Sequence, residues 1–513
     1  MKRQIFSRLA MAFAILLWSF TVVAQQPLPE NIVNKIKSEA FDKSQVDAFA
    51  FLLTDYTGSR LVGSKLAERA EILVKDKLIE LGFSNVRIER ANDFPRGGWD
   101  NLKTYAAMTA PYYCNFTAVP KSWSGSTNGL VSGEVISLNV STQEELETFK
   151  GKLNNKIVLM PPDFKYQMNF NRFTDEDLKQ YTVLTGTVPS HHFVSQCSNT
   201  SVTRTSPVTV STQSIMTLLA EEKPAVIISD GKSFNVLPAG PPASANYRYG
   251  NPEPIAELIL PIEYHSRMAR LIDNKVPVSM EVEIKNEFYN NRVVNNVIAE
   301  IPGVDPVLKD EVVMIGAHLD SWFGGTGASD NAAGCAVMIE ALRIIKETGI
   351  KPRRTIRLAL WGGEEQMGLG SFGYRDSFLY NVAENKPRKG YEQFALYLNM
   401  DNGSGKFRGI FLEENEKAFP YFTQWNKALG TLGLEILSPR KDAEGGSDYV
   451  PFDQIGLPAF QFIQDPLEYA RHMHTVMDTY ERLIIDDLKY NAAVVACLTL
   501  SAAMDNGKIP AKP

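Results

Sequence analysis

Cysteine is scarce in this chain: Cys114, Cys197, Cys335 and Cys497 are its only four, and no two form a CxxC pair. That leaves a cysteine-based metal site without its usual spacing and argues against one. Cys114 and Cys197 lie in polar, loop-like surroundings and could pair in an oxidising compartment, whereas Cys335 and Cys497 fall in apolar helical patterns and read as buried small residues. Dense runs of Lys and Arg are missing as well, and the net charge is −6, so a nucleic-acid partner has no electrostatic basis. Beyond residue 23 no apolar run is long enough to span a bilayer, and there is no internal repeat or low-complexity tract.

What is present begins with a basic N-terminus. Lys2, Arg3 and Arg8 precede an apolar run from Leu9 to Val23, and Val22-Val23-Ala24 supplies small residues before Gln25. This is the layout of a secretory signal peptide over residues 1–24, so the chain is expected to be exported, periplasmic or secreted. No Cys follows the apolar run, which argues against a lipid anchor there, and no stable membrane insertion is expected once the signal is cleaved.

The 513 residues are too many for one core, so two or more domains are expected. Residues 28–82 read as helical, with Gly82 as a C-cap. From 123 to 278 the character changes to short apolar runs, such as Lys156-Ile157-Val158-Leu159-Met160 and Ala225-Val226-Ile227-Ile228, separated by Gly, Pro, Ser and Thr. That pattern predicts a strand-rich module. From 279 onward strands alternate with helices, at 296–301, 312–316, 331–347, 355–361, 394–399 and 488–504. The fold class is therefore α/β, a mixed sheet flanked by helices, built from 25–122 and 279–513 with a β-rich insertion at 123–278.

The acidic and imidazole groups fall at the punctuation of this pattern. His318 and Asp320 follow one strand, Glu364 and Glu365 a second, and Asp401 a third, while Asp330 opens a helix. Singly, each has an ordinary explanation: a helix N-cap for Asp330, solvated loop charge for Glu364 and Glu365, a hydrogen-bonded core residue for His318. Together, at the carboxyl ends of successive strands, they are expected to converge, because open α/β sheets build their sites there. Converging carboxylates and imidazoles form a donor set for two zinc-like ions, with one carboxylate bridging and room for a shared water.

At these residues the sequence resembles the M28 family of zinc peptidases. The stretches that carry the resemblance are Gly316-Ala317-His318-Leu319-Asp320-Ser321-Trp322, Gly327-Ala328-Ser329-Asp330-Asn331, Trp361-Gly362-Gly363-Glu364-Glu365-Gln366, Met400-Asp401-Asn402-Gly403 and His474-Thr475-Val476-Met477-Asp478. The resemblance implies the zinc exopeptidase fold with an inserted protease-associated domain, two Zn²⁺ per chain, a peptide or dipeptide substrate, and a homodimer. It implies that Asp330 bridges the ions, with His318 and Asp401 completing one site and Glu365 and His474 the other. Glu364 would be the general base, and Asp320 would hydrogen-bond the His318 imidazole. The Asp330-Asn331 peptide is expected to be cis. Of His472 and His474, the family spacing favours His474 as the ligand; His191, His192 and His265 are assigned structural or surface roles. Gly445-Gly446-Ser447-Asp448-Tyr449 resembles a loop near the substrate pocket, making Ser447 and Tyr449 substrate contacts and Asp448 a buttress. Where some members place a Tyr before the last His, this chain has Met473, which leaves the oxyanion-stabilising group unassigned.

Two other functions compete with the exopeptidase. One is a single-zinc acyl transferase like glutaminyl cyclase, and the other a binding protein on a degenerate peptidase scaffold. The complete ligand set and the inserted module disfavour both. Aminopeptidase and carboxypeptidase action stay open, with Arg440, Lys441 and Arg471 as candidate partners for a substrate carboxylate.

Overall fold

The structure, a computed structural model, describes residues 28–161, 164–165, 179, 200–201, 210–231, 247–442 and 446–512. The expected signal peptide, Cys197, His191, His192 and Gly445 lie outside the described residues.

One eight-stranded sheet carries the chemistry. Its order is Ser84–Asp93, Val293–Ile301, Thr355–Trp361, Val312–His318, Phe394–Asn399, Ala459–Gln464, Phe407–Phe411, Ile436–Ser438. The four strands beginning at Thr355, Val312, Phe394 and Ala459 run parallel to one another, and the strands that flank this block are antiparallel to it. Parallel strands must be covered on both faces, and their sequences are accordingly near-continuous apolar runs. Alternation along them feeds two cores. Val313, Ile315, Leu358, Leu360, Leu396 and Leu398 point into the larger one. Met314, Ala359, Trp361 and Tyr397 point to the opposite face, against Tyr374, Tyr449 and Phe452.

The larger core is covered by the helices Glu30–Phe41, Val46–Leu53, Ala333–Thr348 and Ile485–Met504. The helix expected over 331–347 is buried on all sides over most of its length. Every residue from Ala333 to Ile345 is buried, because the helix is packed between the sheet and other helices. Its polar members are satisfied internally: Arg343 donates to Glu340 and to Glu39, both buried.

A second eight-stranded sheet is ordered Cys114–Asn115, Gly98–Ala110, Ser279–Tyr289, Val131–Ser137, Ile157–Leu159, Val226–Asp230, Glu257–Leu260, Val119–Pro120. Four of its strands, starting at Val131, Ile157, Val226 and Glu257, are parallel. This sheet reaches beyond 123–278 on both sides. Gly98–Ala110 and Ser279–Tyr289 form a long antiparallel pair, and Ser279–Tyr289 also pairs with Val131–Ser137. Strands that enter and leave a module pair with it when their alternation matches, and here Ala106, Met108, Met280, Val282 and Ile284 join its core.

Candidate metal centre

The parallel strands all end on the same side of the first sheet, so the residues following them are gathered by topology. His318 is the last residue of its strand, not a residue beyond it, because the strand runs two residues further than the apolar run. Glu364 and Glu365 follow Thr355–Trp361, Asp401 follows Phe394–Asn399, and His474 follows Ala459–Gln464 after a short helix, Tyr469–His472.

Asp330 stands at the middle of the cluster. It is not a helix N-cap. It lies in a wide turn, Ala328–Ala332, with extended-like φ of −129°, and the regular helix starts only at Ala333. The Asp330-Asn331 peptide is cis. The turn begins at Gly327, where φ is +58° and a Cβ would fall 2.3 Å from that of Ser321, so only glycine fits.

Each oxygen of Asp330 faces a different partner set. Oδ1 is 3.1 Å from His318 Nε2, which is also 3.1 Å from Asp401 Oδ1. Oδ2 is 2.9 Å from His474 Nε2, which is also 2.9 Å from Glu365 Oε2. The result is two donor groups, His318–Asp330–Asp401 and Asp330–Glu365–His474, with the ligating atoms of each within 4.8 Å of one another. The groups share the one carboxylate. His472 joins neither. It is buried, and its Nδ1 lies 3.1 Å from the Ser329 hydroxyl. His474 is held in a left-handed backbone conformation, φ +56°, which a non-glycine residue adopts only under constraint.

The electrostatics follow from burial and proximity. Burial opposes a charge on His318, but Asp401 and Asp330 pull its pKa well above the histidine range. Burial likewise opposes a charge on His474, and Glu365 and Asp330 raise its pKa well above that range. At Asp330 burial pushes the carboxyl up, yet His474 and His318 reverse this and leave it below the ordinary value. Burial lifts Glu365 to about 7 and Asp448 to about 8, and it lifts Glu364 well above the carboxylate range, helped by Asp401 and Asp448. So many carboxylates in one buried place call for compensating cations.

The donors fit zinc. Nitrogen and oxygen ligands at about 2.0–2.2 Å from a tetrahedral ion would stand a little over 3 Å apart, close to the spacings here. Glu365 Oε1 is buried without a hydrogen-bond partner, as a carboxylate oxygen awaiting a cation would be. A recess of about 10 Å³, room for about one water, opens on Asp330, Glu365 and His474 beside Trp322.

Supporting contacts differ from the expected ones in two places. Asp320 does not hydrogen-bond the His318 imidazole through its carboxylate, which is 3.8 Å from Nδ1. The Asp320 backbone carbonyl takes that role at 3.0 Å, and the carboxylate instead accepts the backbone N–H groups of Glu364 (3.0 Å) and Glu365 (3.3 Å). It thereby ties the His318 loop to the Glu364–Glu365 loop. Tyr449 is only 3% exposed and packs in the aromatic core with Phe452 and Tyr397, so it is not placed to meet substrate. Asp448 is buried and accepts from Ser371, and Ser447, half-buried, accepts from Asn399 Nδ2 at 2.7 Å.

Asp478 emerges as a support whose role the motif alone did not reveal. Its carboxylate accepts the Ser329 N–H at 2.8 Å, the Ser329 hydroxyl at 2.7 Å and the Asp330 N–H at 3.1 Å, which fixes the turn carrying the central carboxylate. Of the cationic candidates, Arg471 donates to Glu468 and Lys441 lies 3.8 Å from Glu414, both in exposed pairs. The second sheet reaches the rim: Phe323 and Val476 pack against Val119 and Ile259. Among the described residues, no helix is long and apolar enough to cross a membrane.

The chain is similar to known peptidases. Residues 296–499 match the family model described as Peptidase family M28. Mouse (Mus musculus) carboxypeptidase Q is 25% identical over 462 residues, covering 90% of this chain and 86% of its own length. Leupeptin-inactivating enzyme 1 of Streptomyces exfoliatus is 31% identical over 164 residues, 32% of this chain and 34% of that protein. Among solved structures, a peptidase M28 precursor from Shewanella amazonensis superposes with a TM-score of 0.65 at 24% identity, covering 94% of this chain and 99% of that one. A zinc aminopeptidase from Bacillus subtilis superposes with a TM-score of 0.54 at 17% identity, covering 91% and 98%. Residues 296–499, which hold every residue of the two donor groups, thus form a peptidase family M28 domain.

Proposed function

We propose that this protein is an exported dizinc exopeptidase that removes a terminal residue from peptides or splits dipeptides. The observation that carries the reading is the Asp330 carboxylate, whose two oxygens each serve a separate histidine–carboxylate pair. One zinc would be held by His318, Asp330 and Asp401, the other by Asp330, Glu365 and His474. When bound, the zinc ions polarise the scissile carbonyl and acidify a water molecule.

The remaining work falls to the chain's own side chains. Glu364 is half-buried beside the donor groups, and burial raises its affinity for a proton well above that of an ordinary carboxylate. It therefore suits a shuttle that takes a proton from the attacking water and passes it to the leaving amine. The Asp320 carboxylate, through its two backbone N–H bonds, holds Glu364 and Glu365 at the edge of the cluster. Asp478 does the same for Asp330. Trp322, 6.3 Å from the His474 ring and edge-on to it, walls the recess. The second sheet, with Phe323 against it, supports that wall.

The names of similar proteins point to both chain ends, a carboxypeptidase in mouse and an aminopeptidase in Bacillus subtilis. The test is zinc content together with hydrolysis of free, N-blocked and C-blocked dipeptides. About two zincs per chain with chelator-sensitive cleavage is the expected result, and the block that abolishes cleavage identifies the terminus recognised. One zinc with acyl transfer, or no zinc and no cleavage, would refute the reading.

A further inference from the structure

Arg60 lies in the loop between the helices Val46–Leu53 and Lys65–Glu80, in a segment that carries none of the donor residues. It is 1% exposed, one of the largest fully buried side chains described. Its guanidinium makes no hydrogen bond to a carboxylate. Nε donates to the Leu319 carbonyl at 2.6 Å, Nη1 to the carbonyls of Leu53 (2.6 Å) and Thr326, and Nη2 to Gly327 at 2.9 Å. Its backbone is engaged too: Arg60 N–H donates to the Ser321 hydroxyl at 2.9 Å, and Ser321 N–H donates to the Arg60 carbonyl at 3.2 Å.

Three of those carbonyls, on Leu319, Thr326 and Gly327, belong to the two ends of one loop. Leu319 follows His318 directly, and Thr326–Gly327 opens the turn that carries Asp330. A single planar fork therefore spans from the first imidazole to the shared carboxylate. The charge is also placed to matter, since Asp478, Asp320 and Asp330 are the carboxylates whose field favours it. A buried cation without a salt-bridge partner is costly unless its donors are satisfied and its field is needed. Both conditions hold at this position.

We propose that Arg60 is a positioning residue for the zinc site: by clamping the carbonyls of Leu319, Thr326 and Gly327 it presets the distance between His318 and Asp330 before metal arrives. The proposal rests on the dizinc reading above. Lysine would keep the charge, but its ammonium cannot reproduce a planar fork that reaches carbonyls on several sides.

The test compares Arg60→Lys with Arg354→Lys. Arg354 is equally buried and also clamps carbonyls, those of Ala502 and Asp505, but it precedes the strand Thr355–Trp361, at the end of the sheet away from the site. Zinc affinity by competition with a chelator, and kcat and KM on a dipeptide, are measured for both. Arg60→Lys is expected to weaken zinc binding about 10- to 100-fold. Its kcat is expected to fall about 100-fold with KM little changed. Arg354→Lys should lower the melting temperature without moving either quantity. Wild-type zinc affinity and kcat in a folded Arg60→Lys would overturn the proposal. Should that variant fail to fold, hydrogen exchange on the metal-free wild-type chain decides. Protection of residues 319–332 equal to that of the zinc-loaded chain supports a preset loop, and protection that appears only with zinc overturns it. A wild-type chain that binds no zinc and cleaves nothing would instead sink the dizinc reading, a result distinguishable from either.

Discussion

The pair Glu364 and Glu365 shows how neighbouring residues of one type divide their labour. Glu365 Oε2 meets His474 at 2.9 Å, whereas the Glu364 carboxylate accepts no hydrogen bond among the described residues and stays partly accessible. Glu364→Gln should therefore lower kcat by about 10²- to 10⁴-fold, the range for loss of a general acid–base, while zinc content stays at the wild-type value. Loss of zinc on that substitution would make Glu364 a ligand. The two histidines near the end of the chain separate in the same way. His474→Ala should lower zinc occupancy, because His474 alone faces Asp330 and Glu365. His472→Ala should retain the metal, because His472 contacts the Ser329 hydroxyl and belongs to neither donor group. Metal analysis of the two purified variants checks both statements. These residues were legible in the sequence because each sits in a short, ordered motif. The supporting partners were not: the carbonyl of Asp320, rather than its carboxylate, meets His318, a matter of local loop shape that residue type does not encode.

Elements follow their patterns where burial is uniform or strictly alternating. The parallel strands were visible as apolar runs, and Leu358→Ala, at a fully buried position in Thr355–Trp361, should cost about 2–5 kcal/mol in chemical denaturation. The helix Ile262–Asp273 in the second sheet's layer carries a different liability. His265 is fully buried with one nitrogen 3.0 Å from the Met160 carbonyl and Nδ1 unpartnered, and burial depresses its pKa to about 4. The native state thus resists protonation while the unfolded chain accepts a proton near the ordinary histidine value of 6.5. Its neutral form is fully accommodated above that pH. Stability is then lost as pH falls from about 6.5 to about 4, by at most about 3.4 kcal/mol at about 1.36 kcal/mol per unit. Denaturation of wild type and His265→Gln across that range checks the sign: the variant should show a shallower acid loss.

For the whole molecule, the decisive arrangement is that the four parallel strands end on one side and the second sheet leans on the loops there. Buried carboxylates at Asp320, Asp330, Glu365 and Asp448 repel one another unless cations are supplied. Zinc should therefore raise the melting temperature of the entire protein. Linkage gives about 2.7 kcal/mol per site at a hundredfold excess over Kd. Thermal melts with zinc and with chelator check this, and equal melting temperatures would mean that the cluster is not a metal site.

The sequence by itself determined the α/β class, the strand-rich middle of the chain and the residues that converge. Strand ends and metal-ligand motifs are local, and topology carries strand ends to one place. Tertiary structure alone decided the rest. Arg60 lies 258 positions before His318 in sequence and becomes the clamp on its loop only after folding. Tyr449, two residues from the half-buried Ser447, turns into the aromatic core instead of toward substrate. The strands Gly98–Ala110 and Ser279–Tyr289, read as parts of the first domain, pair into the second sheet. In each case the outcome depends on which distant partner satisfies a backbone group or fills a space, and nothing in the neighbouring residues specifies that partner.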